Sequence, residues 1–580
     1  MSNRLLILGL LLVTLFLVIG EDLTHRPKQL HVTTAGAVEM CLECHRTEVL
    51  DPAHAPQVIG CSPCHLGDAM AFDKEKAHKG MVAKNPGDLR VVEKTCGVEG
   101  CHSRDVKKVK NSLMATNRGI ISTMLYYWGE EPDQNSVHSV EQLLATGENS
   151  MTLDYYRKLC GTCHLWKQKG DLPGFFGEKG GGCTACHSVP PPDAEPQPDG
   201  KKPHPLIVKK IPVDNCLRCH NRSGRIGLSY TGKFESEGYG TPYEHGDLSS
   251  KRLPGDRFYL ELRPDIHYEK GMACIDCHTR NEIMGDGTFF AHYEDQLEIT
   301  CQSCHTREKP GKTRKNNDLN NVVEEDGVFK LTGKLDGKKH PLAPPKEGAC
   351  DYSGHKRMTC EACHSPWVPQ CFGCHVKRDM SDTDLDKLTL KETPGWWSEG
   401  RSYIRYEKPM LAVWGDEIVI ATPGCQDIVT LLDENGKPER QFNSLTMAAL
   451  NPHTTRKESR SCANCHVEPK TMGLGEGTVW QEDGKLHFTP NDQGVETAPG
   501  ITPALDAYVD IDGNPLQKSA RRDLRPFNRE ELRRILRVGQ CLPCHKEYND
   551  PAYRNYTPAT RCPKEAEWPK LLQGRLETGH

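Results

Sequence analysis

DIHYEKGMACIDCHTRNEIMGDGTFFAHYEDQLEITCQSCH, residues 265–305, contains Cys274-Ile-Asp-Cys277-His278 and Cys301-Gln-Ser-Cys304-His305, each with a lone histidine ahead of it, His267 or His292. A Cys-x-x-Cys-His pentapeptide attaches a c-type haem: the two thiols add to the porphyrin vinyl groups and the histidine becomes the proximal iron ligand. The stretch is therefore one cofactor-binding device written twice.

The device recurs along the chain. Of 27 cysteines, 24 fall into twelve motifs. In order these are Cys41/Cys44/His45, Cys61/Cys64/His65, Cys96/Cys101/His102, Cys160/Cys163/His164, Cys183/Cys186/His187 and Cys216/Cys219/His220, then Cys274/Cys277/His278, Cys301/Cys304/His305, Cys360/Cys363/His364, Cys371/Cys374/His375, Cys462/Cys465/His466 and Cys541/Cys544/His545. The third, CGVEGCH, has four residues between its cysteines, and the extra residues are expected to loop out. A zinc ribbon is excluded because a histidine follows the second cysteine in all twelve. Twelve covalent haems c are expected. Only six residues separate His364 from Cys371, so haems nine and ten must be neighbours.

Composition agrees. The apolar share, recounted with Gly and without Tyr, is roughly 42%, and roughly 38% once the attachment cysteines are set aside, below the usual ~45–50%. Porphyrin then supplies much of the core. The expected fold is mostly irregular, with short α-helices wrapped around covalently bound haems, plus a small β-rich insert. A net charge of −5 without a basic stripe argues against nucleic acid as a partner. Eight motifs carry Lys or Arg just after the histidine (Arg46, Arg104, Lys167, Arg222, Arg280, Arg307, Lys377 with Arg378, Lys546), either as propionate partners or as solvated charge.

Fourteen histidines lie outside the motifs. His25, beside the apolar N-terminus, and His580, the last residue, are poor rigid ligands. The other twelve are the candidate distal ligands: His31, His54, His78, His138, His204, His245, His267, His292, His340, His355, His453 and His487. One for each haem permits every iron to be bis-histidine and of low potential, since a methionine ligand is what raises it. His245 and His487 are the least associated with motifs and equally suit surface roles. A histidine just upstream of a motif reaches a neighbouring haem more easily than the far face of its own, so such ligands would staple adjacent haems together. Cys350, Cys425 and Cys562 remain, which allows at most one disulfide.

Arg4 and the apolar run Leu5–Ile19 form an export signal, residues 1–20, either cleaved after Gly20 or kept as an N-terminal membrane anchor. Expected regions are 21–230 with haems one to six, 231–380 with haems seven to ten, a haem-free β-rich insert at 381–450, and 451–580 with haems eleven and twelve. A helix is expected within 111–132, ended by Gly129 and Pro132, and another from Asn528, with Glu531 completing a capping box and Gly539 ending it. Residues 189–205 are a proline-rich linker or surface loop. A hairpin is expected around 328–340, an irregular segment at 221–264, and an unstructured tail from Asp550.

These motifs resemble large multihaem c-type cytochromes of respiratory bacteria. HYEKGMACIDCHT (267–279) and HTTRKESRSCANCH (453–466) are similar to segments of exported, often surface-associated cytochromes of extracellular electron transfer. A weaker similarity runs to octahaem enzymes of the hydroxylamine oxidoreductase and tetrathionate reductase type. The resemblance implies a periplasmic, outer-membrane or cell-surface electron carrier. Its implied partners are redox proteins: a membrane quinol-oxidising module, an outer-membrane conduit or other cytochromes. The enzyme alternative is reduction of nitrogen, sulfur or selenium oxyanions at one open haem, with no catalytic residue assignable.

Overall fold

The computed structural model describes residues 29–45, 51–82, 85–192, 204–222, 226–235, 251–255, 257–350, 352–400, 403–483, 485–491, 504–545, 547–548 and 550–554. The export signal, His245, Cys562 and most of the C-terminal tail lie outside them, as does most of the proline-rich stretch.

Two compact units divide the chain: Met1–Val106 with His187–Lys209, and Lys107–Cys186 with Lys210–His580. The first is built of one-turn helices, among them Cys41–Cys44, Pro56–Ile59 and Ser62–His65. One-turn helices are marginal by themselves. Here the buried Glu39 carboxylate accepts from the backbone of Cys61 and Ser62 at 2.9 and 3.0 Å, filling a helix N-terminus. Ser188–Val189 pairs antiparallel with Leu206–Ile207, so the proline-rich stretch leaves and returns along one ribbon.

The larger unit is richer in sheet. Met410–Trp414 and Glu417–Pro423 form a hairpin whose two-residue loop begins with Gly415 at φ +58, the conformation a II′ turn demands there. The hairpin sits inside a five-stranded sheet with Thr446–Ala449, Lys518–Ser519 and Leu524–Arg525. A second, four-stranded sheet runs in the order Lys391–Glu399, Cys374–Asp386, Asp427–Leu432, Pro438–Ser444, with its central pair parallel. A core of Ala362, Val368, Leu411, Val413, Ile420 and Val479 joins the ninth motif's helix to the first sheet, and Leu532 and Leu536 of the C-terminal helix complete it.

Several boundaries differ from expectation. Sheet begins at Val368, not 381, because Val368–Phe372 and Cys374–Asp386 are strands that run through the tenth motif. The segment expected to be irregular, 221–264, contains a three-stranded sheet of Lys233–Glu235, Lys251–Leu253 and Arg257–Glu261. Arg257, buried, bonds Glu235 at 2.7 Å and the Asn221 carbonyl at 2.7 Å, a long-range network that local composition does not display. The 111–132 helix is two, Leu113–Thr116 and Arg118–Tyr127, because Asn117 turns left-handed (φ 49) to place its amide on the Tyr156 hydroxyl and the Cys163 carbonyl. The C-terminal helix starts at Asn528 with Glu531 in its capping box but runs through Gly539 to Cys541. Gly539 packs against the His466 carbonyl, where an added Cβ would lie 2.5 Å from the oxygen.

Candidate haem-binding sites

Most motifs are close to one helical turn. The histidine N–H donates to the first cysteine's carbonyl at 2.8–3.0 Å in the motifs of His45, His65, His220, His278, His305 and His545. The long third motif closes the same way, His102 N to Cys96 O at 3.0 Å. Its two extra residues loop out around Gly97, packed on the Val92 carbonyl, and Gly100 at φ +85. The variant spacing thus keeps the backbone closure that the common spacing gives.

The expected haem-binding residues differ in exposure. Cys44, Cys101, Cys360 and Cys544 are exposed, and the other attachment cysteines are partly buried. Each stands at the edge of an element: Cys44 ends the helix Cys41–Cys44, Cys101 follows Gly100 on the looped-out part of the third motif, just ahead of the helix Ser103–Asn111, Cys360 opens the helix Cys360–His364, and Cys544 lies three residues past Cys541, where the C-terminal helix ends. A thiol on such a corner is open to solvent from the side that a helix or strand would otherwise cover. His164 departs in the opposite sense, being 3% exposed with both ring nitrogens buried. Its motif is not a one-turn α-helix, because the π-helix Tyr156–Cys160 ends on the first cysteine. Gly161 N then donates to Tyr156 O at 2.7 Å and Thr162 N to Cys160 O at 2.8 Å, which turns the chain inward and encloses the imidazole. His164 is thus more enclosed than the other motif histidines.

Six proximal histidines face a second histidine ring. His45 meets His78, His54 meets His102, His65 meets His204 and His267 meets His305, all with centroids 6.2 Å apart. His278 meets His453 at 6.0 Å and His355 meets His466 at 6.1 Å. Rings in van der Waals contact stack closer than this. Two imidazoles bound to one metal at roughly 2 Å, each centroid roughly 1.2 Å behind its nitrogen, would stand about 6 Å apart. The residues present fit a six-coordinate haem iron. In every pair the non-motif histidine meets a motif other than the one that follows it in the chain.

Most of these rings have one nitrogen engaged. Nδ1 of His187, His305, His364 and His466 lies 2.8–3.1 Å from the carbonyls of Val208, Ala343, Arg456 and Ile535. His78, His204 and His453 use Lys74, Pro205 and Asn451 carbonyls in the same manner. Such bonds fix tautomer and ring orientation, leaving Nε2 as the remaining nitrogen. Burial and a facing imidazole both disfavour protonation: burial holds His453 below its ordinary value with His278 adding to it, and His466 falls to about 4.

The other candidates are placed differently. His31 Nε2 lies 2.9 Å from the Glu43 carboxylate, and His138 lies between Glu131 and Glu148. His487 stacks on Trp480 with centroids 4.4 Å apart, a surface hairpin contact. His292 is buried with neither ring nitrogen hydrogen-bonded among the described residues, and His340 Nε2 is likewise buried without an acceptor or donor. Burial holds His292 below its ordinary value, and Arg521 adds to this. His375, unlike the helical motif histidines, sits on a strand in an open pocket of about 320 Å³ with Lys377, Ser398, Gly400 and Thr430.

Thiols of separate motifs make hydrogen-bond contact: Cys41 with Cys61, Cys163 with Cys219, Cys216 with Cys274, and Cys301 with Cys360. Cys350 and Cys425 are not joined; Cys425 is half-buried with Sγ 3.1 Å from Asp427 Oδ2. Among the basic residues after the motifs, Lys167 is buried on the Phe176 carbonyl, its ammonium pushed down to about 8 by burial, and Arg378 pairs with Asp154 at 2.9 Å.

Two acids that bond paired histidines, Asp265 and Glu282, are not among the sequence-derived candidates. Each carried a signal: Asp265 stands two residues before His267, where it caps a helix, and Glu282 completes a Thr279-x-x-Glu282 capping box four residues after His278.

Comparison with known proteins supports a multihaem-cytochrome-like relationship and nothing finer. Dissimilatory sulfite reductase MccA of Wolinella succinogenes is 24% identical over an alignment 281 residues long that covers 43% of this chain and 33% of the relative. The chain thus spans about a third of the length of that relative. No family model matches, and no solved structure matches.

Proposed function

We propose that this chain is an exported dodecahaem cytochrome that carries electrons along a line of mainly bis-histidine haems. The carrying observation is the set of six histidine pairs at 6.0–6.2 Å, each between a motif and a segment remote from it. In this reading the cysteines tether the porphyrins, and the paired imidazoles close both axial positions and keep water and other ligands off the iron. The main-chain acceptors hold Nδ1 so that Nε2 is free. Bound haem supplies one-electron chemistry at its iron. The thiol contacts argue for a run through motifs four, six and seven and for adjacency of eight and nine. Export follows from the haem c motifs and from Leu5–Ile19; among the described residues no helix is long and apolar enough to cross a membrane. Redox proteins on either side are the proposed partners.

The name of the relative favours one second reading, an oxyanion reductase with one open haem. Haem counting on the purified chain, with electron paramagnetic resonance (EPR) and carbon monoxide binding, tests both. Twelve haems, wholly low-spin and inert to carbon monoxide, support the carrier. A high-spin fraction near one in twelve supports the reductase, and a chain without covalent haem refutes both.

A further inference from the structure

Among the described residues, Asp265 and Glu282 are carboxylates that bond paired histidines while buried themselves. Asp265, 2% exposed, accepts through Oδ1 from His267 Nδ1 at 2.8 Å and from His267 N at 2.9 Å. Its Oδ2 accepts from Thr455 N at 2.7 Å, two residues after His453. Glu282, 4% exposed, accepts through Oε2 from His278 Nδ1 and Thr279 N, both at 3.0 Å. Its Oε1 accepts from the backbone of Glu298 and Ile299, just ahead of Cys301. Since His278 pairs with His453 and His267 with His305, each carboxylate bonds one pair's imidazole and the backbone that carries the other pair.

Other partners described above are weaker. Seven rings use main-chain carbonyls, as above. His54, His102 and His545 do meet Asp51, Asp105 and Asp550, but those carboxylates are 29%, 23% and 26% exposed, against 3% and 1% for the side chains of Asp265 and Glu282. Water screens an exposed charge and leaves a buried one strong. A carboxylate that accepts Nδ1–H makes the imidazole a more basic ligand and favours ferric over ferrous iron.

Resting on the electron-carrier reading above, we propose that Asp265 and Glu282 are positioning residues that give the haems at Cys274/Cys277 and Cys301/Cys304 the lowest reduction potentials in the chain. Electrons crossing the middle then take an uphill step. The two haems are also mechanically joined, because loss of either carboxylate loosens ligands of both.

The test is a spectroelectrochemical titration of the haem-loaded full chain, followed by EPR, for the wild type, Asp265→Asn, Glu282→Gln and Asp265→Glu. The amides should raise the lowest-potential fraction, about two of the twelve haems, by at least tenfold in reduced-to-oxidised ratio at fixed potential, which is 59 mV for a one-electron couple. Asp265→Glu should stay near wild type. Full haem loading with an unmoved lowest fraction in both amide variants overturns the proposal. Should the amide variants fail to load haem, the wild type alone decides: the signal lost in His453→Ala must titrate in the lowest fraction, and its appearance among the highest overturns the proposal. A wild type whose irons are not bis-histidine refutes the carrier reading instead, a separate result.

Discussion

His278 and His453 lie with centroids 6.0 Å apart and ring planes only 17° apart, whereas His65 and His204 stand at 81°. The angle between axial imidazole planes governs the anisotropy of a low-spin ferric signal. The six pairs should therefore give both rhombic signals, from those near 20°, and strongly anisotropic ones, from those near 80°. His453→Ala should remove one rhombic component, add a high-spin fraction near one in twelve and admit carbon monoxide; unchanged spectra would count against this pairing.

Gly539→Ala should destabilise the haem-loaded protein. In a free helix this change gains about 1 kcal/mol, but here the new methyl meets the His466 carbonyl at 2.5 Å, and overpacking of this kind costs about 1–3 kcal/mol. Denaturant unfolding checks the sign, and a stabilised variant would show that helix and motif are not in contact.

Glu531 predicts an acid-sensitive C-terminal helix. Burial alone would raise its carboxyl, but Arg525, the Asn528 N–H and Arg357 outweigh burial and hold it at about 2. Its folded value lies below its ordinary 4.5, so its stabilising contribution is complete above that pH and is lost as pH falls toward about 2. Glu531→Gln keeps the capping box and should flatten unfolding stability across that window. At neutral pH it should cost no more than about 1 kcal/mol, because both arginines are half exposed.

Asp427 has the opposite sign. Burial raises its carboxyl, and hydrogen bonds from Cys425, Trp128 and Tyr155 do not reverse this. The unfolded chain ionises it near 3.8, so stability falls as pH rises above that value until the folded group also ionises. Trp128 Nε1 donates to Oδ2 at 3.3 Å and the Tyr155 hydroxyl donates to Oδ1 at 3.2 Å; of the two, only the hydroxyl can also turn to accept. Asp427→Asn removes the titrating group and puts an amide N–H at Oδ1, which the Tyr155 hydroxyl can turn to accept. It should raise the melting temperature at neutral pH and reduce its pH dependence, and a lower melting temperature at neutral pH would refute the assignment.

What was legible in the sequence is what lies within one helical turn. The motif spacing, the Asn528–Glu531 capping box and the hairpin at Val328–Thr332 and Lys339–Pro341 are set by near neighbours. Gly539 misled because a glycine near a helix end usually stops it, and only the distant His466 backbone explains its place. The enclosure of His164 was hidden for a similar reason: its pentapeptide reads like the others, and the π-helix that delivers it is set by the packing of Tyr156 and Lys158, both fully buried. The strands within 221–264 depend on Arg257 reaching Asn221 and Glu235, and the sheet reaches into the tenth motif because Cys374–Asp386 pairs in parallel with a strand beginning at Asp427. The pairing of histidines likewise could be enumerated from the chain but not assigned, since His267 is closer in sequence to His278 than to His305.

The histidine pairs also act on maturation. On the proposed ligation each iron is a cross-link, and the cost of closing a loop grows only slowly with its length, so the long closure from His278 to His453 is thermodynamically little dearer than the short one from His45 to His78. Timing is another matter. A chain emerging from its N-terminus can complete His45/His78 and His54/His102 at once, but His65 waits for His204, and His278 waits until the four-stranded sheet and the Met410–Pro423 hairpin have followed. The haem at the centre of the chain thus spends its assembly half-ligated, and a chain stopped short of His453 would keep there an open iron that the finished protein conceals.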